Sequence, residues 1–126
     1  MNGICASIKV IDLEKSLKFY VDGLGYKEYK RLTPNEFILL VFLKDDNGGL
    51  LELIYNKNQP DTIGNPVSAN VSIVIAVDSL TSTLEMLKAM GHTPENPIMK
   101  LPSGEQIAFV KDPDGVEVEL IENFAL

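Results

Sequence analysis

The chain contains one of its own segments twice. Residues 42–56, FLKDDNGGLLELIYN, and residues 109–123, FVKDPDGVEVELIEN, align without a gap at an offset of 67 (109 − 42). Eight of the fifteen positions are identical: Phe42/Phe109, Lys44/Lys111, Asp45/Asp112, Gly48/Gly115, Glu52/Glu119, Leu53/Leu120, Ile54/Ile121 and Asn56/Asn123. Such a repeat constrains the fold more than any bulk property, because what one half builds the other builds too. Each copy reads as strand, turn, strand: an apolar run, then Lys-Asp and Gly, then a run ending in Glu-Leu-Ile.

The rest of each half follows the same offset. In residues 3–10, Ile4, Ala6, Ile8 and Val10 alternate with Cys5, Ser7 and Lys9, which predicts a strand with one apolar face. Asp12 suits a helix N-cap, and Leu13, Leu17, Tyr20 and Leu24 fall at helical spacing up to Gly23 and Gly25. Strands are predicted over 26–32, 37–43 and 50–56. Residues 57–69 are rich in Asn, Pro, Gly and Ser and read as a linker. Beyond it, 70–77 reads as a strand. Asp78 or Ser79 caps a helix carrying Leu80, Leu84 and Leu87, which Gly91 closes. The stretch 92–98 holds Pro94 and Pro97, so any pairing there is confined to an edge. Strands at 105–110 and 116–122 complete the second half. The expected architecture is α+β: one domain, 1–126, of two tandem β-α-β-β-β modules (1–56 and 70–126), forming a curved eight-stranded open sheet around a central cavity.

A half with one helix and four strands buries the apolar sheet face against that helix. The opposite face then carries Cys5, Ser7, Lys9, Glu52 and Ile54 in the first module, and Ser72, Val74, Glu119 and Ile121 in the second. If both sheets curve around that side, Glu52 and Glu119 point into a shared hollow with Cys5, Ser7, Lys9 and Ser72. Two inward carboxylates call for a cation between them, from Lys9 or a ligand, or for one raised pKa.

Charge and cysteine content narrow the function classes. The net charge of −7 argues against a nucleic-acid or anionic-membrane surface and favours a cationic ligand or a metal. The single cysteine, Cys5, rules out an internal disulfide and fits a reducing cytoplasm. No apolar run approaches membrane-spanning length, and the N-terminus lacks a basic-then-apolar leader pattern.

On these residues the chain resembles the vicinal oxygen chelate superfamily, which includes glyoxalase I, bleomycin-resistance proteins and extradiol dioxygenases. The resemblance rests on Val10-Ile11-Asp12-Leu13, Ser16-Leu17-Lys18-Phe19-Tyr20, Gly23-Leu24-Gly25-Tyr26, and Asp112-Pro113-Asp114-Gly115 followed by Glu119-Leu120-Ile121-Glu122. The wording around Leu51-Glu52-Leu53 and 116–122 is most similar to bacterial glyoxalase I. That branch implies a Ni²⁺ or Zn²⁺ ion held by one residue on the first and one on the last strand of each half. Glu52 and Glu119 match the acidic ligands, whereas the two histidine positions fall on Cys5 and Ser72. The one histidine, His92, follows Gly91 in a predicted loop and reads as a surface residue.

Two readings follow. In the first, the protein binds a small, possibly cationic molecule between Glu52 and Glu119, in the manner of the antibiotic-sequestering branch, with no cofactor. In the second, it is a lactoylglutathione lyase-type enzyme in which Glu119 is the proton-transfer base and Glu52 its partner. There, Glu52, Glu119 and Cys5 would hold any zinc or nickel ion in an altered site. An extradiol dioxygenase ranks last, because its iron needs two histidines and a carboxylate. Open sheet edges predict a homodimer.

Overall fold

The computed structural model describes residues 5–58 and 73–124. The chain divides into two compact units, Met1–Pro66 and Val67–Leu126. The first holds β1 (Cys5–Val10), α1 (Leu13–Leu17) with a following π-helical turn (Lys18–Gly23), β2 (Lys27–Leu32), β3 (Ile38–Lys44) and β4 (Leu50–Asn56). The second holds β5 (Ile73–Val77), α2 (Leu80–Ala89), β6 (Met99–Lys100), β7 (Gln106–Lys111) and β8 (Glu117–Glu122). Each unit has one four-stranded mixed sheet, ordered β1-β4-β3-β2 and β5-β8-β7-β6. In both, the first strand runs parallel to the last, and the remaining pairs are antiparallel. The repeat read from the sequence is thus a repeat of topology.

Alternation decides which face is buried. Ile8, Val10, Val41, Leu43, Leu51 and Leu53 are buried on one face of the first sheet, and Ile75, Val110, Val118 and Leu120 on one face of the second. In the second unit α2 buries Leu80, Leu84 and Leu87, the stripe its 3.6-residue period predicts. Ser79 is its N-cap, its hydroxyl accepting from the Ser82 N–H. A second oxygen comes from the sheet: Glu122 Oε1 accepts from the Leu80 N–H at 2.8 Å. The stretch 92–98 forms no strand of its own, and the pairing that follows it, β6, lies at the sheet edge. The ladder starts at Met99, past Pro94 and Pro97, which lack the N–H a ladder needs; before it a single backbone bond reaches β7, from the Glu95 N–H to the Phe109 carbonyl at 3.0 Å.

The first helix departs from the expected stripe. It is regular only over Leu13–Leu17, then widens into the π turn, in which the Leu24 N–H reaches the Phe19 carbonyl five residues back. The residues fully buried are Ser16, Phe19 and Tyr20, whereas Leu13, Leu17 and Leu24 are only half-buried. Widening the turn changes the helical phase, so the adjacent rings of Phe19 and Tyr20 are both buried, edge to face at 4.9 Å.

The duplicated turns are built alike. Asp45 Oδ1 accepts from the Asn47 and Gly49 N–H groups at 2.8 and 2.7 Å. Asp112 Oδ1 accepts from the Asp114 and Val116 N–H groups at 2.9 and 2.8 Å. Gly48 and Gly115 occupy the same left-handed position, at φ 88° and 86°. The shared Asp and Gly of the repeat therefore form the pins of a hairpin turn.

Candidate functional site

Strand pairing places directly paired side chains on one face of a sheet. Across the first sheet, Ser7, Glu52, Phe42 and Lys30 form one such row. Below it run Cys5, Leu50, Lys44 and Lys27; above it, Lys9, Ile54, Leu40 and Leu32. Of the predicted site residues, the structure thus brings Cys5, Ser7, Lys9 and Glu52 together, on the face opposite Ile8, Val10, Leu51 and Leu53. Across the second sheet, Val74, Glu119 and Phe109 form the corresponding row. Ser72 lies outside the described residues.

Glu52 is half-buried and engaged on one side only. The Ser7 hydroxyl donates to Glu52 Oε1 at 2.6 Å, a short, charge-assisted bond. Among the described residues Oε2 has no hydrogen-bond partner, and Glu119 has neither a hydrogen bond nor an ion pair. Ser7 thereby orients one carboxylate oxygen and leaves its neighbour for an incoming donor. Beside them, Cys5 is exposed. Partial loss of water first, and the Glu52 charge second, push its thiol above the usual range, against a backbone hydrogen bond at Glu52 that lowers it.

Two aromatic neighbours were not among the residues the sequence nominated. Phe42 pairs with Glu52 and Phe109 with Glu119. The signal was present in the repeat, since each phenylalanine precedes its glutamate by ten residues (52 − 42 and 119 − 109). Only the hairpin register turns that spacing into adjacency. Each carboxylate therefore stands beside an aromatic ring; on the first sheet the same face also carries Leu40, Ile54 and Leu50 and the lysines Lys9, Lys27, Lys30 and Lys44. That arrangement suits a ligand with an apolar body and a cationic or hydrogen-donating group.

The donors present differ from the two-His, two-carboxylate set that the glyoxalase resemblance implies. Cys5 and Ser72 stand where the resemblance leads one to expect imidazoles. Among the described residues no three His, Cys, Asp or Glu side chains gather closely enough to hold a metal ion. A separate cavity of about 400 Å³ lies in the second unit, lined by Thr81, Leu84, Glu85, Lys88, Thr93 and neighbours, and includes neither glutamate. No helix among the described residues is long and apolar enough to cross a membrane.

Residues 5–120 match the family model described as the glyoxalase/bleomycin resistance protein/dioxygenase superfamily. A probable lactoylglutathione lyase of Vibrio cholerae is 35% identical over 122 residues, covering 92% of this chain and 86% of that protein. The lactoylglutathione lyase of Haemophilus influenzae is 34% identical over 125 residues, covering 92% and 88%. Among solved structures, the trypanothione-dependent glyoxalase I of Leishmania major superposes with a TM-score of 0.77 at 30% identity, covering 97% of this chain and 86% of that one.

Proposed function

This chain belongs to the glyoxalase/bleomycin resistance protein/dioxygenase superfamily, and we propose that within it the protein is a small-molecule binder that works without a His-ligated metal. Glu52 and Glu119 receive a cationic or hydrogen-donating group of the ligand, and Cys5, Ser7, Lys9 and Ser72 contribute to the binding surface. The observation that carries this reading is the Ser7–Glu52 bond at 2.6 Å. It fixes a carboxylate with one oxygen committed and one open, beside Phe42, at a place where the metal-binding branch needs a ligand set this chain lacks.

The test is a calorimetric titration of the metal-free full chain with hexylamine, an apolar body carrying one ammonium. Saturable binding is expected, weakened about three- to tenfold by Glu52→Gln and by Glu119→Gln, the range of a partly exposed charge pair. If both carboxylates serve one ligand, the double variant will be non-additive. Absence of binding to wild-type protein overturns the reading.

A second reading, a lactoylglutathione lyase-type enzyme with an altered metal site, is favoured by the 34–35% identity to lactoylglutathione lyases. In it Glu119 moves a proton between adjacent carbons as general base. Chelator-free protein would then contain zinc or nickel, and would turn over an α-keto aldehyde–thiol conjugate. Apo protein that neither metal activates excludes it. We also propose a homodimer, because each sheet ends in edge strands, β1 and β2 or β5 and β6. A monomeric mass in solution would contradict that.

A further inference from the structure

The basic residues of β2 are sorted between the two faces of the first sheet, and a backbone irregularity does the sorting. Lys27 pairs with Lys44 and Glu28 with Leu43, after which the register slips, so that Lys30, not Tyr29, is the partner of Phe42. Tyr29 is the extra residue of a β-bulge. Without it, alternation would put Lys30 opposite buried Val41 and turn Arg31 toward Leu40, on the face that carries Glu52. With it, Lys30 joins the Ser7–Glu52–Phe42 row and Arg31 pairs with Val41 on the other face. Tyr29 itself leans to the Glu52 side, where Lys44 Nζ lies 5.5 Å from its ring centroid.

The two sets of charges are then treated differently. Arg31 is neutralised on its own face by two hydrogen bonds to Glu28, at 2.9 and 2.8 Å. Lys27 and Lys30 have no carboxylate partner among the described residues. In a chain of net charge −7, Lys27 and Lys30, with Lys44 set against the Tyr29 ring, are thus gathered at one margin of the face that holds Glu52. Edge lysines also discourage sheet-to-sheet association. That role is served by either face and needs no bulge, whereas bulges commonly re-aim a side chain beside a functional site.

We infer that this lysine margin is an anion-recognition subsite, and that the ligand of the Glu52 face is a zwitterion. Its ammonium meets Glu52, its apolar body lies along Phe42, and its carboxylate meets Lys30 and Lys27. Glu52 and Lys30 stand two strands apart, about 9–10 Å between backbones. Their long side chains shorten that span to the length of a small extended molecule. This inference rests on the binding reading given above and adds the second charge of the ligand.

The experiment is an NMR titration of the isotope-labelled full chain with three probes of one length: 6-aminohexanoate, hexylamine and hexanoate. The expected result is that 6-aminohexanoate binds at least about threefold tighter than hexylamine, with shifts at Ser7, Phe42 and Lys30. Lys27→Gln/Lys30→Gln removes that advantage without weakening hexylamine, whose ammonium is relieved of two like charges on the same face. Arg31→Gln deletes one positive charge from the opposite face of the same strand and leaves both affinities unchanged, whereas the charge-matched Lys30→Gln alone weakens 6-aminohexanoate. Equal binding of hexylamine and 6-aminohexanoate, insensitive to the lysine pair, overturns the anion subsite while the binding reading stands. If hexanoate binds through the lysines and neither amine is held by Glu52, the binding reading falls and the subsite stands. If no probe binds this face, both fall.

Discussion

Replacing Asp112 with alanine tests the duplicated turn quantitatively, because the chain carries its own control at Asp45. Both aspartates accept two backbone N–H groups through Oδ1 at 2.7–2.9 Å. They differ in burial: Asp112 is only 4% exposed, whereas Asp45 is half-buried with Asp46, Asn47, Gly48 and Gly49 exposed around it. In Asp112→Ala the Asp114 and Val116 N–H groups lose their acceptor where water enters poorly. At about 1–3 kcal/mol per unsatisfied buried group, and with partial relaxation, the loss is about 2–4 kcal/mol. In Asp45→Ala, water replaces the carboxylate and the loss falls to about 1 kcal/mol. Asp112→Asn keeps the accepting oxygen, loses only the charge assistance, and costs about 1 kcal/mol. Urea unfolding followed by far-UV circular dichroism gives the three values, provided the slopes match wild type. If Asp45→Ala costs as much as Asp112→Ala, burial is not what sets the price, and the account of these turns is wrong.

Other consequences follow from single contacts. Glu122→Ala removes the acceptor of the Leu80 N–H and the negative charge at the N-terminus of α2; it should lower stability by about 1–2 kcal/mol, and Glu122→Gln by roughly half that, read from thermal unfolding. Burial first, and the Asp45 charge second, push the Tyr26 phenol up to about 12. Its folded pKa therefore lies above the unfolded value near 10. The contribution is complete below pH 10 and is lost as pH rises toward 12, by about 2–3 kcal/mol. Tyr26→Phe should flatten the alkaline decline of stability, and an unchanged decline would refute the assignment. Gly49→Ala should destabilise, because an added Cβ would meet the Asp45 carboxylate that two N–H groups hold in place. Circular dichroism melting that matches wild type would show that the turn gives way more easily than its hydrogen bonds indicate.

Much of the fold was legible because its signals are local and occur twice. Period-2 alternation in 3–10 and 50–56 assigned Ile8, Val10, Leu51 and Leu53 to the core and Ser7 and Glu52 to the other face, as observed. The Asp and Gly of each copy marked the turns, because only certain residues make those backbone bends. What alternation carries is the parity of a side chain within its own strand. It says nothing about which residue of a neighbouring strand stands opposite.

That second kind of information came only with the tertiary structure. The bulge at Tyr29 moves one residue out of register and so exchanges Lys30 and Arg31 between faces, although nothing in Lys27–Leu32 breaks the pattern of a strand. The π turn at Lys18–Gly23 likewise buries Phe19 beside the expected Tyr20, while Leu13 and Leu17 of the expected stripe are only half-buried. Both are one-residue shifts, whose local cost is small and whose sign is set by what the neighbouring elements gain in packing. The sequence by itself determined that there are two like halves, each with a carboxylate on its non-core face. The pairing of strands decided that Ser7 holds Glu52, that a phenylalanine flanks each glutamate, and which lysine shares their face, because register is a property of two strands and not of one.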